Sequence, residues 1–163
     1  MALHISTILK HYKRKEIQEE MIEHAANKEI AVRFQTWFGK RPDTLQYPRD
    51  VLEFAKRKAT SFHCSEELWD NPLLLSSESS ERELNDLRKG WDLVLDIDCQ
   101  FLEYSKQAAD IIIKFLRYSG IKSLGCKFSG NKGFHIAVPF EAFPKQINGQ
   151  ETKLLFPELA RKI

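Results

Sequence analysis

Residues 92–98, Asp-Leu-Val-Leu-Asp-Ile-Asp, alternate in period two, as a strand half-buried against a core requires. Leu93, Leu95 and Ile97 fall on one face, and Asp92, Val94, Asp96 and Asp98 on the other. Two carboxylates on one face repel and raise each other's pKa. A divalent cation removes that cost. Hard cations such as Mg²⁺ take oxygen ligands, typically one or two carboxylates plus substrate phosphates. Asp96 and Asp98 are therefore candidate metal ligands.

The segment Ser129-Gly130-Asn131-Lys132-Gly133-Phe134-His135 supplies a complementary chemistry. Its glycines allow backbone N–H groups to approach an anion closely. Ser129 adds a hydroxyl, Lys132 a point charge and His135 a further donor. Gly133 to Val138 alternates again, with Phe134, Ile136 and Val138 suited to a core face and His135 flanked by Gly133 and Ala137. Between the segments, residues 101–118 predict an amphipathic helix carrying Ala108, Ile111, Ile112, Phe115 and Leu116 inward, with Gly120 as its stop. Residues 121–128 predict a strand that returns as a hairpin through the Ser129–Gly133 turn. The fold class is α+β: strand, helix, strand, strand, the opening of an RRM-like mixed sheet flanked by helices. Its first and third strands are neighbours, which gathers Asp96, Asp98 and His135 on one face.

Leu95-Asp96-Ile97-Asp98 and the Ser-Gly-x-Lys-Gly-x-His turn, in this order and one helix apart, resemble the catalytic (small) subunit of archaeal and eukaryotic-type DNA primase, in the archaeo-eukaryotic primase superfamily. Weaker resemblance extends upstream through Ser61-Phe62-His63-Cys64-Ser65, Trp69-x-Asn71-Pro72-Leu73 and Lys28-Glu29-Ile30-Ala31. The resemblance implies template-directed nucleotidyl transfer, with Asp96 and Asp98 catalytic and holding Mg²⁺ or Mn²⁺. It also implies that Ser129, Gly130, Asn131, Lys132, Gly133 and His135 hold a nucleoside triphosphate. Single-stranded DNA template and a primase large subunit are the implied partners.

Length and composition agree with one domain over residues 1–163, in which 1–89 form an N-terminal αβ portion and 90–140 carry the motifs. A hydrophobic fraction of 42% and eighteen aromatics (11 Phe, 3 Trp and 4 Tyr) argue against disorder. A net charge of +2 gives no global basic field, so nucleic-acid contact must come from local patches. The basic cluster His11-Tyr12-Lys13-Arg14-Lys15 reads as a solvated helix end, or as phosphate contacts with Tyr12 offered for stacking. Arg33 and Arg41 are further candidates for template contact. Residues 16–27 read as a helix, 28–38 as a strand, 49–60 as a helix, 61–69 as a short strand and turn, and 75–88 as an exposed loop and helix. Three widely spaced cysteines do not form a secreted disulfide framework. No apolar run reaches membrane-spanning length, so the chain reads as cytoplasmic and soluble, with no membrane partner.

His63 beside Cys64 lacks the second pair that a zinc site needs, so Cys64, Cys99 and Cys126 read as packing residues and no zinc is expected. Many primases of this kind carry a zinc-binding insertion, absent here. The family also has a third metal-binding aspartate on a later strand, whereas no Asp follows Asp110 and residues 151–163 read as Glu-rich loop and helix. The expectation is the N-terminal part of a catalytic core that lacks its C-terminal strands and needs a further polypeptide. A catalytically incomplete nucleotide- or template-binding replication module is the alternative. A haloacid-dehalogenase-type phosphatase fits Leu95-Asp96-Ile97-Asp98 less well, because Cys99-Gln100 follow and its later acidic pair is missing.

Overall fold

The computed structural model describes residues 3–162. They divide into two units, Met1–Lys89 and Gly90–Ile163.

The first unit begins with α1 (Ile5–Tyr12) and α2 (Lys15–Ala25), followed by β1 (Ile30–Phe34) and β2 (Trp37–Phe38). Then come α3 (Pro48–Lys56), β3 (Ser61–Cys64), β4 (Glu67–Trp69), α4 (Glu81–Leu87) and β5 (Arg88–Trp91), the last running across the boundary into the second unit. Residues 28–38 do not form one strand. Gln35 adopts a φ of 58° after Phe34 and reverses the chain into β2. An antiparallel sheet of order β2-β1-β3 results.

The alternate residues Ile30, Val32 and Phe34 drop into a core with Ala25, Leu45, Val51 and Ala59. Pro48 starts α3 with its φ already helical, and the Asp50 carboxylate accepts the Tyr47 and Gln46 N–H groups at 2.8 and 3.0 Å. Tyr12 belongs to this core rather than to a stacking surface. Its ring meets Phe62 edge-on at 5.1 Å and its hydroxyl donates to the Thr60 carbonyl at 3.1 Å. Burial pushes its phenol pKa up. Arg41, a candidate template contact, grips the buried Glu29 through two bonds of 2.7 and 2.8 Å. Arg33 remains exposed on the opposite face of β1 from the core.

The second unit contains β6 (Leu93–Ile97), α5 (Leu102–Tyr118), β7 (Gly125–Phe128) and β8 (Phe134–Val138). Strand order is β6-β8-β7, and both ladders are antiparallel. The expected mixed sheet is therefore corrected to an antiparallel one. The hairpin inserts β8 between β6 and β7, so the two strands that run in the same direction never pair. Leu93, Ile136 and Val138 pack with Ala109 and Leu116 of α5 around Trp91, which is fully buried.

Two further expectations need correction here. On α5, Ile111 and Phe115 face solvent. The inward stripe is Ser105, Ala109, Ile112, Ile113 and Leu116, because the sheet meets the helix about a fifth of a turn from the side assumed. Among the described C-terminal residues, an Asn148-Gly149 hairpin of β9 (Gln146–Ile147) and β10 (Gln150–Glu151), flanked by 3₁₀ turns, takes the place of an α-helix. Both turn residues have positive φ, 51° and 80°, as such a two-residue loop demands. This segment closes over Trp91 with Phe140, Phe143 and Phe156, and the Trp91 indole N–H donates to the Thr152 carbonyl at 2.9 Å. The cysteines are free. Cys64 and Cys126 are exposed rather than packed, because each lies on an outer strand of its sheet, and Cys99 is half-buried.

Candidate functional site

β6 buries Leu93 and turns Asp96 outward, where 70% of its side chain is exposed. The register then decides its neighbours. Asp96 pairs with His135 of β8, and His135 pairs in turn with Lys127 of β7. Carboxylate, imidazole and ammonium thus form one row across the outer face of three strands. His135 Nε2 stands 3.4 Å from Asp96 Oδ1, close enough for an ion pair when the imidazole is protonated. The adjacent row is Val94, Ala137 and Gly125, two of them small, so the floor beside His135 is open.

The turn is packed against the end of β6. Ser129 N–H donates to the Gly133 carbonyl at 2.9 Å, and Gly133 N–H donates to Ser129 Oγ at 3.2 Å. This closes the loop and leaves the Ser129 hydroxyl proton for an outside acceptor. Gly130 has a φ of +95°, a left-handed conformation that favours glycine. Gly133 is needed for a different reason. A Cβ there would intrude on the Ile97 carbonyl oxygen, so the turn lies directly against the strand end that leads into Asp98. Asn131 and Lys132 stand exposed at the tip.

The structure thus brings Asp96 and His135 into contact, and seats Ser129 and Gly133 beside Ile97. Asp98 lies one residue beyond β6 and is exposed. Asp92, expected on the same face as Asp96, accepts the Phe140 N–H at 3.0 Å and so has a structural task. Lys127 was missed by the sequence reading. The signal was the alternation Gly125-Cys126-Lys127-Phe128, which places it in the row once the hairpin register is known.

Among the described residues, no group of three or more His, Cys, Asp and Glu side chains is arranged to hold a metal ion. Two outward carboxylates separated by one residue still suit a hard cation that keeps waters or phosphate oxygens as its other ligands. The donor set fits Mg²⁺ or Mn²⁺ in that restricted sense. No helix among the described residues is long and apolar enough to cross a membrane.

No family model matches the chain, and no solved structure matches it. Over 58 residues it is 38% identical to an uncharacterized protein of Methanocaldococcus jannaschii. That stretch is 35% of this chain and 13% of the archaeal protein, so the chain is similar to a small part of a longer polypeptide.

Proposed function

We propose that this chain is part of a DNA primase small-subunit-like nucleotidyltransferase, which makes short primers on a single-stranded DNA template. The observation that carries the reading is the row Asp96–His135–Lys127 beside the closed Ser129–Gly133 turn. It supports the reading because Asp96 and His135 share one sheet face and the turn lies against Ile97, one residue before Asp98.

Asp96 and Asp98 would hold Mg²⁺ or Mn²⁺, which when bound would supply Lewis-acid stabilisation of a triphosphate and a lowered pKa for an attacking 3′-hydroxyl. The Ser129 hydroxyl and the backbone N–H groups of the turn would orient phosphate oxygens. Lys132 and Lys127 would add positive charge where pyrophosphate departs. His135, held near Asp96, would donate to a phosphate oxygen. Two carboxylates are fewer than a two-metal centre normally shares, which is the reason to infer a further polypeptide that completes the site. A primase large subunit is the other partner implied. The same shortage favours a second reading, a nucleotide- or template-binding replication module without catalysis of its own.

Calorimetry with a nucleoside triphosphate and Mn²⁺ or Mg²⁺ tests the proposal. Binding should require the metal, and Lys132→Ala should weaken it at least tenfold, since one charge-assisted contact contributes roughly 1.5–3 kcal/mol. Asp96→Asn should abolish the metal dependence. Metal-independent or Lys132-insensitive binding would overturn the site. Primer extension separates the two readings. Activity that appears only with a second polypeptide carrying a primase-like Asp strand supports the split enzyme, and binding without synthesis in any combination supports the module.

A further inference from the structure

Helix α5 carries a second apolar stripe that its own sheet does not use. Phe101, Tyr104, Ala108, Ile111, Phe115 and Tyr118 follow one another at intervals of three and four residues. All but Ala108 are exposed, Ile111 at 64%, Phe115 at 61% and Tyr118 at 93%. Scattered exposed apolar residues are ordinary, but a contiguous row of aromatic and branched side chains marks an interaction surface. The inward stripe of Ser105, Ala109, Ile112 and Leu116 already satisfies the core. A second row with a mean spacing near 3.5 residues is the pattern that seats a partner helix by knobs-into-holes packing.

We propose that this row is a self-association surface, on which α5 of one copy packs antiparallel against α5 of a second copy. Side-chain size supports self-pairing. With the two-fold axis beside Ala109 and Asp110, Ile111 of each copy falls opposite the small Ala108 of the other. Phe115 then meets Tyr104, and Tyr118 meets Phe101, so every layer is filled and none is doubly bulky at the centre. Phe101 and Tyr104 already stand edge to face at 5.6 Å, a ready-made end layer. Charge supports the same direction. Along the solvent flank of the stripe, Glu103 lies near the N-terminal end and Lys114 near the C-terminal end. Antiparallel packing sets Glu103 of one copy on the same side of the contact as Lys114 of the other. Parallel packing would set Glu103 and Lys114 of the two copies on opposite sides of the contact, unpaired. Asp110 is paired with Lys114 within its own helix at 2.6 Å and sits near the axis. An isologous contact of this kind closes at two copies and leaves no open end for further growth. It does not depend on the nucleotidyl-transfer reading, because the row Asp96–His135–Lys127 lies on the sheet face that α5 does not cover.

Sedimentation velocity of the full chain over a hundredfold range of concentration tests the proposal, with a concentration-dependent monomer–dimer equilibrium expected. Ile111→Glu should weaken the dimer at least tenfold while leaving the circular dichroism, and the melting temperature at concentrations where both chains are monomeric, unchanged, since that side chain does not contribute to the core. Glu103→Lys should weaken it as well, and adding Lys114→Glu should restore it. For orientation, a nitroxide at Ser119→Cys, with the native cysteines replaced, should report two labels roughly 30 Å apart in the antiparallel pair against about 10 Å in a parallel one. A monomer at every concentration, a dimer indifferent to Ile111→Glu, or a short label distance would each overturn the proposal. A monomer that captures a different helical polypeptide on this face would overturn it too.

Discussion

Gly133→Ala tests how the turn is attached to the carboxylate strand. An added Cβ would lie well inside 3.0 Å of the Ile97 carbonyl oxygen and 3.2 Å from Ser129 Oγ. The hydroxyl could rotate away, but the carbonyl belongs to the backbone of β6 and is fixed by the Ile97–Phe134 pairing. Relief therefore requires β6 and the turn to part at their closed end. That strains a packed site by about 1–3 kcal/mol and frays one or two ladder hydrogen bonds at about 0.5–1.5 kcal/mol each. A loss of roughly 2–4 kcal/mol is expected for the second unit. With a urea dependence of about 2 kcal/mol per molar, the midpoint should fall by about 1–2 M. Urea unfolding followed by hydrogen exchange at Leu95, Ile97 and Phe134 reads this directly, because exchange separates the second unit from the first. Nucleotide binding should fall with it, as the turn moves away from Asp98. A midpoint unchanged within about 0.2 M, with protection of Phe134 retained, would show that the turn is not seated on Ile97 and would remove the geometric basis of the site.

In the first unit, Arg41→Ala leaves the Glu29 carboxylate buried without its two-pronged partner. The expected cost is about 1–3 kcal/mol, read by urea unfolding. Arg41→Lys should recover only part of it, because an ammonium cannot form the parallel pair. A loss under about 0.5 kcal/mol would mean that water replaces the guanidinium. Tyr12 makes a prediction about pH. Burial raises its pKa above the ordinary 10.0, so in the interval above that value the folded chain holds a proton that the unfolded chain has lost. Stability should therefore fall as pH rises past about 10 and be unaffected by this group below it. Tyr12→Phe should flatten that alkaline slope in thermal melts and cost about 1 kcal/mol at neutral pH through the lost bond to Thr60. An equally steep slope in the variant would assign the effect to another group.

Local pattern made much of this protein legible. The alternation Leu93-Leu95-Ile97 specified a half-buried strand because period two is the only geometry that buries those three together. Glycines at 130 and 133 marked a turn, and the apolar periodicity over residues 101–118 marked a helix, which the structure forms over Leu102–Tyr118. Those features locate Asp96, Asp98 and the turn, because a strand's faces and a hairpin's loop are properties of consecutive residues. Which residues stand opposite one another is not such a property. Register set Lys127 beside His135 and His135 beside Asp96, and a slip of one residue would have turned all three to other faces.

The helix shows the same division. Two apolar stripes overlap on α5, and hydrophobicity alone could not tell which one meets the sheet, so Ile111 and Phe115 read as core until packing turned them outward. Tyr12 and Arg41 looked available to nucleic acid because aromatic and cationic side chains suit it. Thr60 accepts from the Tyr12 hydroxyl and Glu29 holds the Arg41 guanidinium, whose side chain stays 63% exposed. The C-terminal residues lack helical periodicity strong enough to hold a helix, and they take their shape from Trp91, whose fully buried ring and indole N–H demand a cover of aromatics and the carbonyl of Thr152. Neighbouring residues determined the elements and the chemistry each carries. Only the tertiary contacts, which satisfy buried surface and buried polar groups across long sequence separations, decided which chemistry remains exposed.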